Sequence, residues 1–129
     1  MSKLDKQSVI GISALLVHAA NIDETYSDHE KDLIKDFIKS YLKDDDSNEI
    51  LKQAEEIEKN SNQLLNYTNI IKKNSMDIKK DIIEHLWKVI ISDNSVDQYE
   101  SNLMRRICGL VYFPDKECAE IKLKLLNSK

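Results

Sequence analysis

Apolar residues recur at helical spacing along the whole chain, in about seven segments that short polar runs separate. The segments cover about residues 7–21, 27–42, 48–59, 63–72, 76–91, 97–111 and 114–126. The first segment is apolar on most of its sides, which predicts a central helix, whereas the third has one apolar stripe and one charged face. Short connections make successive helices neighbours, mostly antiparallel. The pattern therefore predicts an all-α fold of about seven helices.

The pattern also repeats once within the chain. An Asp that is followed seven residues later by a Glu occurs in two loops, as Asp23 with Glu30 and as Asp93 with Glu100, so that the second copy lies 70 residues after the first (93 − 23). The same offset pairs apolar positions of the flanking helices: Ile12 with Ile82, Leu16 with Leu86, Leu33 with Leu103, and Phe37 with Ile107. We interpret this as an internally duplicated helix–loop–helix, which predicts a bundle with pseudo-two-fold symmetry.

Composition narrows the class of protein. A chain of 129 residues is predicted to form a single domain over 1–129, with its core in about 8–126. The 41% hydrophobic and 33% charged content is that of a soluble globular protein, and only 2 Gly and 1 Pro favour helices over a β sandwich. Net charge is −4 and no stretch is strongly basic, which argues against a nucleic-acid partner. The apolar first segment is too short to span a bilayer, so no membrane insertion is expected.

Two cysteines, Cys108 and Cys118, show no metal-ligand spacing. Each falls on the apolar face of its predicted helix. We therefore interpret them as two reduced core thiols in a cytoplasmic protein.

The two acidic loops are the candidate site. Grouped carboxylates and hydroxyls are hard oxygen ligands that suit calcium, magnesium or manganese. The primary candidates are Asp23, Glu30, Asp93 and Glu100, and the secondary candidates are Ser27, Asp28, His29, Ser95 and Asp97. The second loop opens like a calcium-binding EF-hand, with Asp93, Ser95 and Asp97 in alternation. It then departs from the EF-hand, because Gln98 stands at position six and Met104 at position twelve. Any cation here would be held by a partial cage.

A structural interpretation competes with the cation site. Ser27-x-x-Glu30 has the spacing of a capping box, and Asp97-x-x-Glu100 repeats the arrangement, so both glutamates are explained by helix capping. The aspartates are therefore the better functional candidates. Three functions stay open: a non-catalytic module that binds a partner protein, a structural scaffold without a cation, and a metal-dependent hydrolase. The sequence has no hydrolase elbow, P-loop or Cys–His pair, so a non-enzyme is predicted.

The same segments carry a family resemblance. Its residues are Leu15-Leu16-Val17-His18-Ala19-Ala20, Asp23, Tyr26-Ser27 and Glu30, then Leu65-Asn66-Tyr67-Thr68, then Leu86-Trp87, Ser92-Asp93, Val96, Glu100 and Asn102-Leu103. The chain resembles the TerB-like (tellurite-resistance protein B) family over about residues 8–126, especially its small bacterial branch, and is similar to the N-terminal domain of the co-chaperone DjlA.

The resemblance implies a helical fold with internal pseudo-symmetry, a bacterial cytoplasmic protein, and a link to tellurite or stress response. It also implies that Asp23, Glu30, Asp93 and Glu100 are the metal ligands. The chain departs from the family at the residue after each Asp, where the family favours Gly and this sequence has Glu24 and Asn94. Asn tolerates the left-handed conformation, whereas Glu is strained there, so the first loop is expected to be reshaped.

Overall fold

The computed structural model describes residues 4–21, 27–43, 46–60, 64–91 and 98–127, and only the backbone of 64–66 and 98–101. Within these ranges the chain forms seven α-helices and no strand. They are α1 (Lys6–Asn21), α2 (Asp28–Tyr41), α3 (Ser47–Asn60), α4 (Leu64–Lys72), α5 (Met76–Ile91), α6 (Gln98–Leu110) and α7 (Asp115–Asn127). The predicted all-α class is confirmed, and the predicted helix ends agree with the observed ends to within one or two residues.

Helix α1 is central, as its apolar sequence predicted. It packs against α2, α3, α4 and α5, and most of its side chains are buried. Its contact with α4 is close at Gly11, where an added Cβ would collide with Cδ1 of Ile70. Gly11 does not have a positive φ angle, so what the glycine provides here is room for the Ile70 side chain.

Helix α5 supports the other side of the bundle. It packs against α1, α2, α4 and α7, and α6 packs against α4 and α7. The buried apolar side chains of the described residues form one continuous cluster that includes all seven helices. Burying this apolar surface is the main force that holds the helices together.

The paired positions of the predicted duplication have matching burial. Ile12 and Ile82, Leu16 and Leu86, and Phe37 and Ile107 are all fully buried, and Leu33 and Leu103 are both half-buried. A duplication requires equal burial at the paired positions, but any two amphipathic helices that pack on one core also have buried residues at matching positions. The internal duplication therefore stays a prediction.

Two apolar residues that lie on the helical stripes of the sequence are exposed. Ile57 in α3 is 39% exposed and Leu126 in α7 is 37% exposed. Both lie near the C-terminal end of their helix. The buried residues of α7 are Cys118 and Ile121, so its apolar stripe continues beyond the part that the core covers. Pro114 directly precedes α7, and its carbonyl accepts a hydrogen bond from the amide of Cys118 at 3.1 Å, which is the first hydrogen bond of this helix.

Polar residues hold the helix N-termini in place. Asp5 accepts a hydrogen bond from the amide of Ser8 at 2.7 Å, and Asp46 accepts one from the amide of Asn48 at 2.9 Å. The hydroxyl of Ser75 accepts one from Ile78 at 3.4 Å. These bonds satisfy amide groups that an α-helix leaves unpaired in its first turn. Asp46 and Ser75 therefore act as capping residues of α3 and α5.

None of the described helices is long and apolar enough to cross a membrane.

Candidate functional site

The N-terminus of α2, which follows the first acidic loop, contains the predicted capping box. The hydroxyl of Ser27 accepts a hydrogen bond from the amide of Glu30 at 3.2 Å. In return, Oε1 of Glu30 accepts the Ser27 amide at 2.8 Å and the Ser27 hydroxyl at 3.1 Å. Ser27 has extended backbone angles, φ −86° and ψ 166°, as an N-cap residue requires. The reciprocal bonds confirm the capping box that the spacing predicted.

Glu30 is more buried than a capping glutamate needs to be. It is only 4% exposed, although ionised side chains are almost never this buried unless they are paired or hydrogen-bonded. The next two candidates on this turn, Asp28 and His29, are both exposed. Among the described residues of this first turn of α2, only Glu30 has a buried carboxylate.

Several candidates lie outside the described residues: Asp23 in the first loop, and Asp93, Ser95 and Asp97 in the second. Glu100 lies in α6, where the structure describes only its backbone. Its position in the helix is informative, however. Glu30 is the third residue of α2 and Glu100 is the third residue of α6, so both glutamates lie in the first turn of the helix that follows an acidic loop. The helix dipole favours a carboxylate in that turn.

A divalent-cation site needs several oxygen ligands around one point. No group of three or more His, Cys, Asp or Glu side chains with this arrangement exists in the part of the chain that the structure describes. The described member of the primary set, Glu30, has its Oε1 atom engaged by Ser27. The predicted cation site therefore rests on loop residues that fall outside that part, and it stays a prediction.

A second location with unusual chemistry was missed by the sequence interpretation. Cys108 in α6 and Cys118 in α7 are both buried, as predicted, and their side chains also form a hydrogen bond with each other. Their separation of ten residues is not a known motif, and only the turn between α6 and α7 brings them together. No sequence signal indicated this pair.

Three polar side chains on α2 and α5 form a smaller network. The hydroxyl of Tyr41 donates to Oδ2 of Asp81 at 2.6 Å, and Nδ1 of His85 lies 3.5 Å from Oδ1 of the same carboxylate. Burial, and then the hydrogen bond to Asp81, raise the pKa of Tyr41 above its usual value. His85 also packs edge-on against the ring of Phe37. This network satisfies polar groups between two helices and explains His85 as a partnered residue at the edge of the core.

The described helices, their common core and the capping box define the class of this protein: an all-α helical bundle. The chain belongs to the TerB family, because the family model of tellurite resistance protein TerB matches residues 10–123. Comparisons with curated proteins and with solved structures found no match. The family resemblance inferred from the sequence is thus confirmed. The similarity to the DjlA N-terminal domain and the bacterial origin stay predictions.

Proposed function

We propose that this chain is a non-catalytic TerB module that binds a partner protein, and that a divalent cation at the two acidic loops controls this binding. The cation would be calcium, magnesium or manganese, because the candidate ligands are carboxylate and hydroxyl oxygens. The name of the family, tellurite resistance protein TerB, supports a role in a stress response.

The buried carboxylate of Glu30 is the observation that carries the cation proposal. A carboxylate that is 4% exposed has lost most of its hydration. The two hydrogen bonds from Ser27 engage its Oε1 atom, and a carboxylate is a hard oxygen ligand of the kind that divalent cations bind. Asp23 precedes Glu30 by one short loop, and the sequence repeats the pair as Asp93 and Glu100.

A structural scaffold is the second candidate, and the same turn favours it. The capping box uses both Ser27 and Glu30 fully as capping residues, so helix capping explains them without a cation. In this alternative the aspartates only close the loops. The two candidates differ in one measurable respect: a scaffold gains no stability from a cation that binds through Asp23 and Asp93.

A thermal melt of the metal-stripped protein separates the two candidates. Calcium, magnesium and manganese are each added singly to wild type and to Asp23→Ala/Asp93→Ala. A cation at 100 times its dissociation constant stabilises the folded state by about 2.7 kcal/mol. With an unfolding entropy of about 2.1 cal/mol/K per residue, this raises the Tm of a 129-residue protein by about 10 °C.

Asp46→Ala is the matched control for this experiment. It removes an aspartate cap from α3, so it lowers stability without touching either acidic loop. The proposal predicts that Asp46→Ala keeps the cation-induced shift and that the double variant loses it. An equal shift in the double variant, or none in wild type, would refute the cation site.

The partner is tested with the immobilised protein. If the wild-type protein retains a partner only when the cation is present, and Asp23→Ala/Asp93→Ala does not retain it, the result supports control of partner binding by the loops. Retention that is unaffected by chelator and by the double variant would contradict it. Hydrolase activity with magnesium or manganese that Asp23→Ala/Asp93→Ala abolishes would instead show that the module is an enzyme.

A further inference from the structure

The turn between α6 and α7 holds two cysteines side by side. Helix α6 ends at Leu110 and α7 begins at Asp115. The amide of Phe113 donates to the carbonyl of Cys108 at 2.9 Å, and Tyr112 is left-handed with φ 61°, which together make a Schellman-type helix end. The chain reverses there, and the thiol of Cys108 donates a hydrogen bond to the sulfur of Cys118.

Cys118 has a second hydrogen-bond donor and a nearby cation. The indole Nε1–H of Trp87 on α5 donates to Sγ of Cys118 at 3.3 Å. Lys122 lies one helical turn after Cys118, and its Nζ is 5.4 Å from the centre of the Trp87 ring. Donors and cations both favour a thiolate over a thiol.

The two thiols are therefore unequal. The hydrogen bond from Cys108, and then the one from Trp87 and the charge of Lys122, lower the pKa of Cys118 to about 7, although burial and Asp115 oppose this. The hydrogen bond to Cys118, and then burial, raise the pKa of Cys108. The two pKa shifts have opposite directions, which favours Cys118 as the nucleophile of the pair.

Cys118 also lines a cavity. The cavity has a volume of about 470 Å³ and lies between α5, α6 and α7. Beside the sulfur its walls carry Trp87, the cations Arg105 and Lys122, and the anion Asp115. Cys118 is 5% exposed, so the cavity is its route to small molecules. Cys108 is fully buried and does not line this cavity.

We propose that Cys118 and Cys108 form a redox-active dithiol, in which Cys118 reduces a hydroperoxide that enters this cavity and Cys108 then closes an intramolecular disulfide. This activity is separate from the cation and partner binding proposed above. It uses α5, α6 and α7 and none of the candidate ligands in the loops.

The chemistry balances in two steps. The sulfur of Cys118 attacks one peroxide oxygen, the O–O bond breaks, and the other oxygen leaves as an alcohol or as water, so that Cys118 becomes a sulfenic acid. The sulfur of Cys108 then attacks the sulfur of Cys118, and the hydroxyl group leaves as water with the Cys108 proton. Overall, two thiols lose two electrons and two protons, and one hydroperoxide is reduced.

Mass spectrometry of the intact reduced protein tests this proposal. We expect hydrogen peroxide to convert wild type to a monomer that has lost two hydrogens and that no longer reacts with a maleimide after denaturation. Cys108→Ser should stop at the sulfenic acid on Cys118, which dimedone traps, because no resolving thiol is left. Cys118→Ser should lose its remaining thiol at least about tenfold more slowly than wild type, since Cys108 is protonated.

The single tryptophan gives an independent readout. Trp87 touches Cys118, so its fluorescence should titrate with a midpoint near pH 7, and Cys118→Ser should abolish this titration. The rate of oxidation should rise over the same pH range, because the thiolate is the nucleophile.

Three results would overturn the proposal. In the first, wild type keeps both thiols in the presence of peroxide that oxidises free glutathione in the same tube. In the second, Cys118→Ser reacts as fast as wild type. In the third, the disulfide links two protein molecules. The wild-type measurement decides the question even where a serine variant fails to fold. Far-UV circular dichroism identifies such a variant.

Discussion

Gly109→Ala and Gly11→Ala are the same chemical change made in two helices whose surroundings differ. Gly109 is the penultimate residue of α6, is exposed, and has no atom within 4 Å of the position that a Cβ would take. Gly11 lies in the buried part of α1, where a Cβ would collide with Ile70 of α4. Neither glycine has a positive φ angle, so backbone strain does not enter the comparison.

The two changes are expected to differ, because only Gly11 has a neighbouring atom where the Cβ would lie. At Gly109, alanine lowers the conformational entropy of the unfolded chain and stabilises the protein by about 0.4–1 kcal/mol. At Gly11 the helix gains up to about 1 kcal/mol from alanine, whereas displacing the end of the half-buried Ile70 side chain costs at most the roughly 1–3 kcal/mol of overpacking a core. Gly11→Ala should therefore lose up to about 2 kcal/mol.

Thermal melts by far-UV circular dichroism measure both effects. With an unfolding entropy of about 0.27 kcal/mol/K for 129 residues, Gly109→Ala should raise Tm by about 1.5–4 °C and Gly11→Ala should lower it by up to about 7 °C. The atom that collides is Cδ1 of Ile70, which valine lacks, so Ile70→Val should cancel much of the Gly11→Ala loss in the double variant. A Gly11→Ala protein as stable as Gly109→Ala would refute the close approach of α1 and α4.

Three further substitutions test other features of the fold. Ser13→Ala should stabilise the protein by about 1 kcal/mol in urea melts, because the fully buried Ser13 hydroxyl has no hydrogen-bond partner among the described residues; a loss of stability would show that it has one. At Tyr112, where φ is 61°, glycine should give a protein about 1 kcal/mol more stable than alanine does, the reverse of the order at Gly109, and equal melts would contradict the left-handed turn. Burial raises the pKa of Tyr41, so its neutral form contributes stability that is fully present below about pH 10 and is lost as pH rises through the higher folded-state pKa. The stability difference between wild type and Tyr41→Phe, measured from pH 8 upward, should therefore shrink only at alkaline pH, and a constant difference would contradict the raised pKa of Tyr41.

Periodicity was sufficient to predict the helices because each of them buries a stripe that recurs at helical spacing. It did not predict where burial ends. Ile57 and Leu126 continue their stripes, yet the core covers the last turns of α3 and α7 only in part. The extent of a neighbouring helix is a tertiary property, and a pattern within one helix does not contain it.

The candidate sites also divide into a local feature that the sequence predicts and a tertiary contact that it does not predict. The capping box was predictable because it is local: Ser27 and Glu30 are three residues apart, and their hydrogen bonds need only the first turn of α2. The pairing of Cys108 with Cys118 was not predictable, because it depends on a left-handed Tyr112, and an aromatic residue is a poor signal for that conformation. Trp87 and its bond to Cys118 come from a third helix.

Helix α6 connects the two proposed activities. It begins at Gln98, directly after the second acidic loop, and carries Cys108 near its other end. Glu100 and Cys108 are therefore about 12 Å apart along one helix axis, at a rise of about 1.5 Å per residue. A cation at the loop and a disulfide to α7 would both restrain this helix. Because such coupling is reciprocal, the cation-induced rise in Tm should differ between the dithiol and the disulfide forms of the protein. Equal rises in both forms would mean that α6 does not transmit either event, and that the two sites act independently.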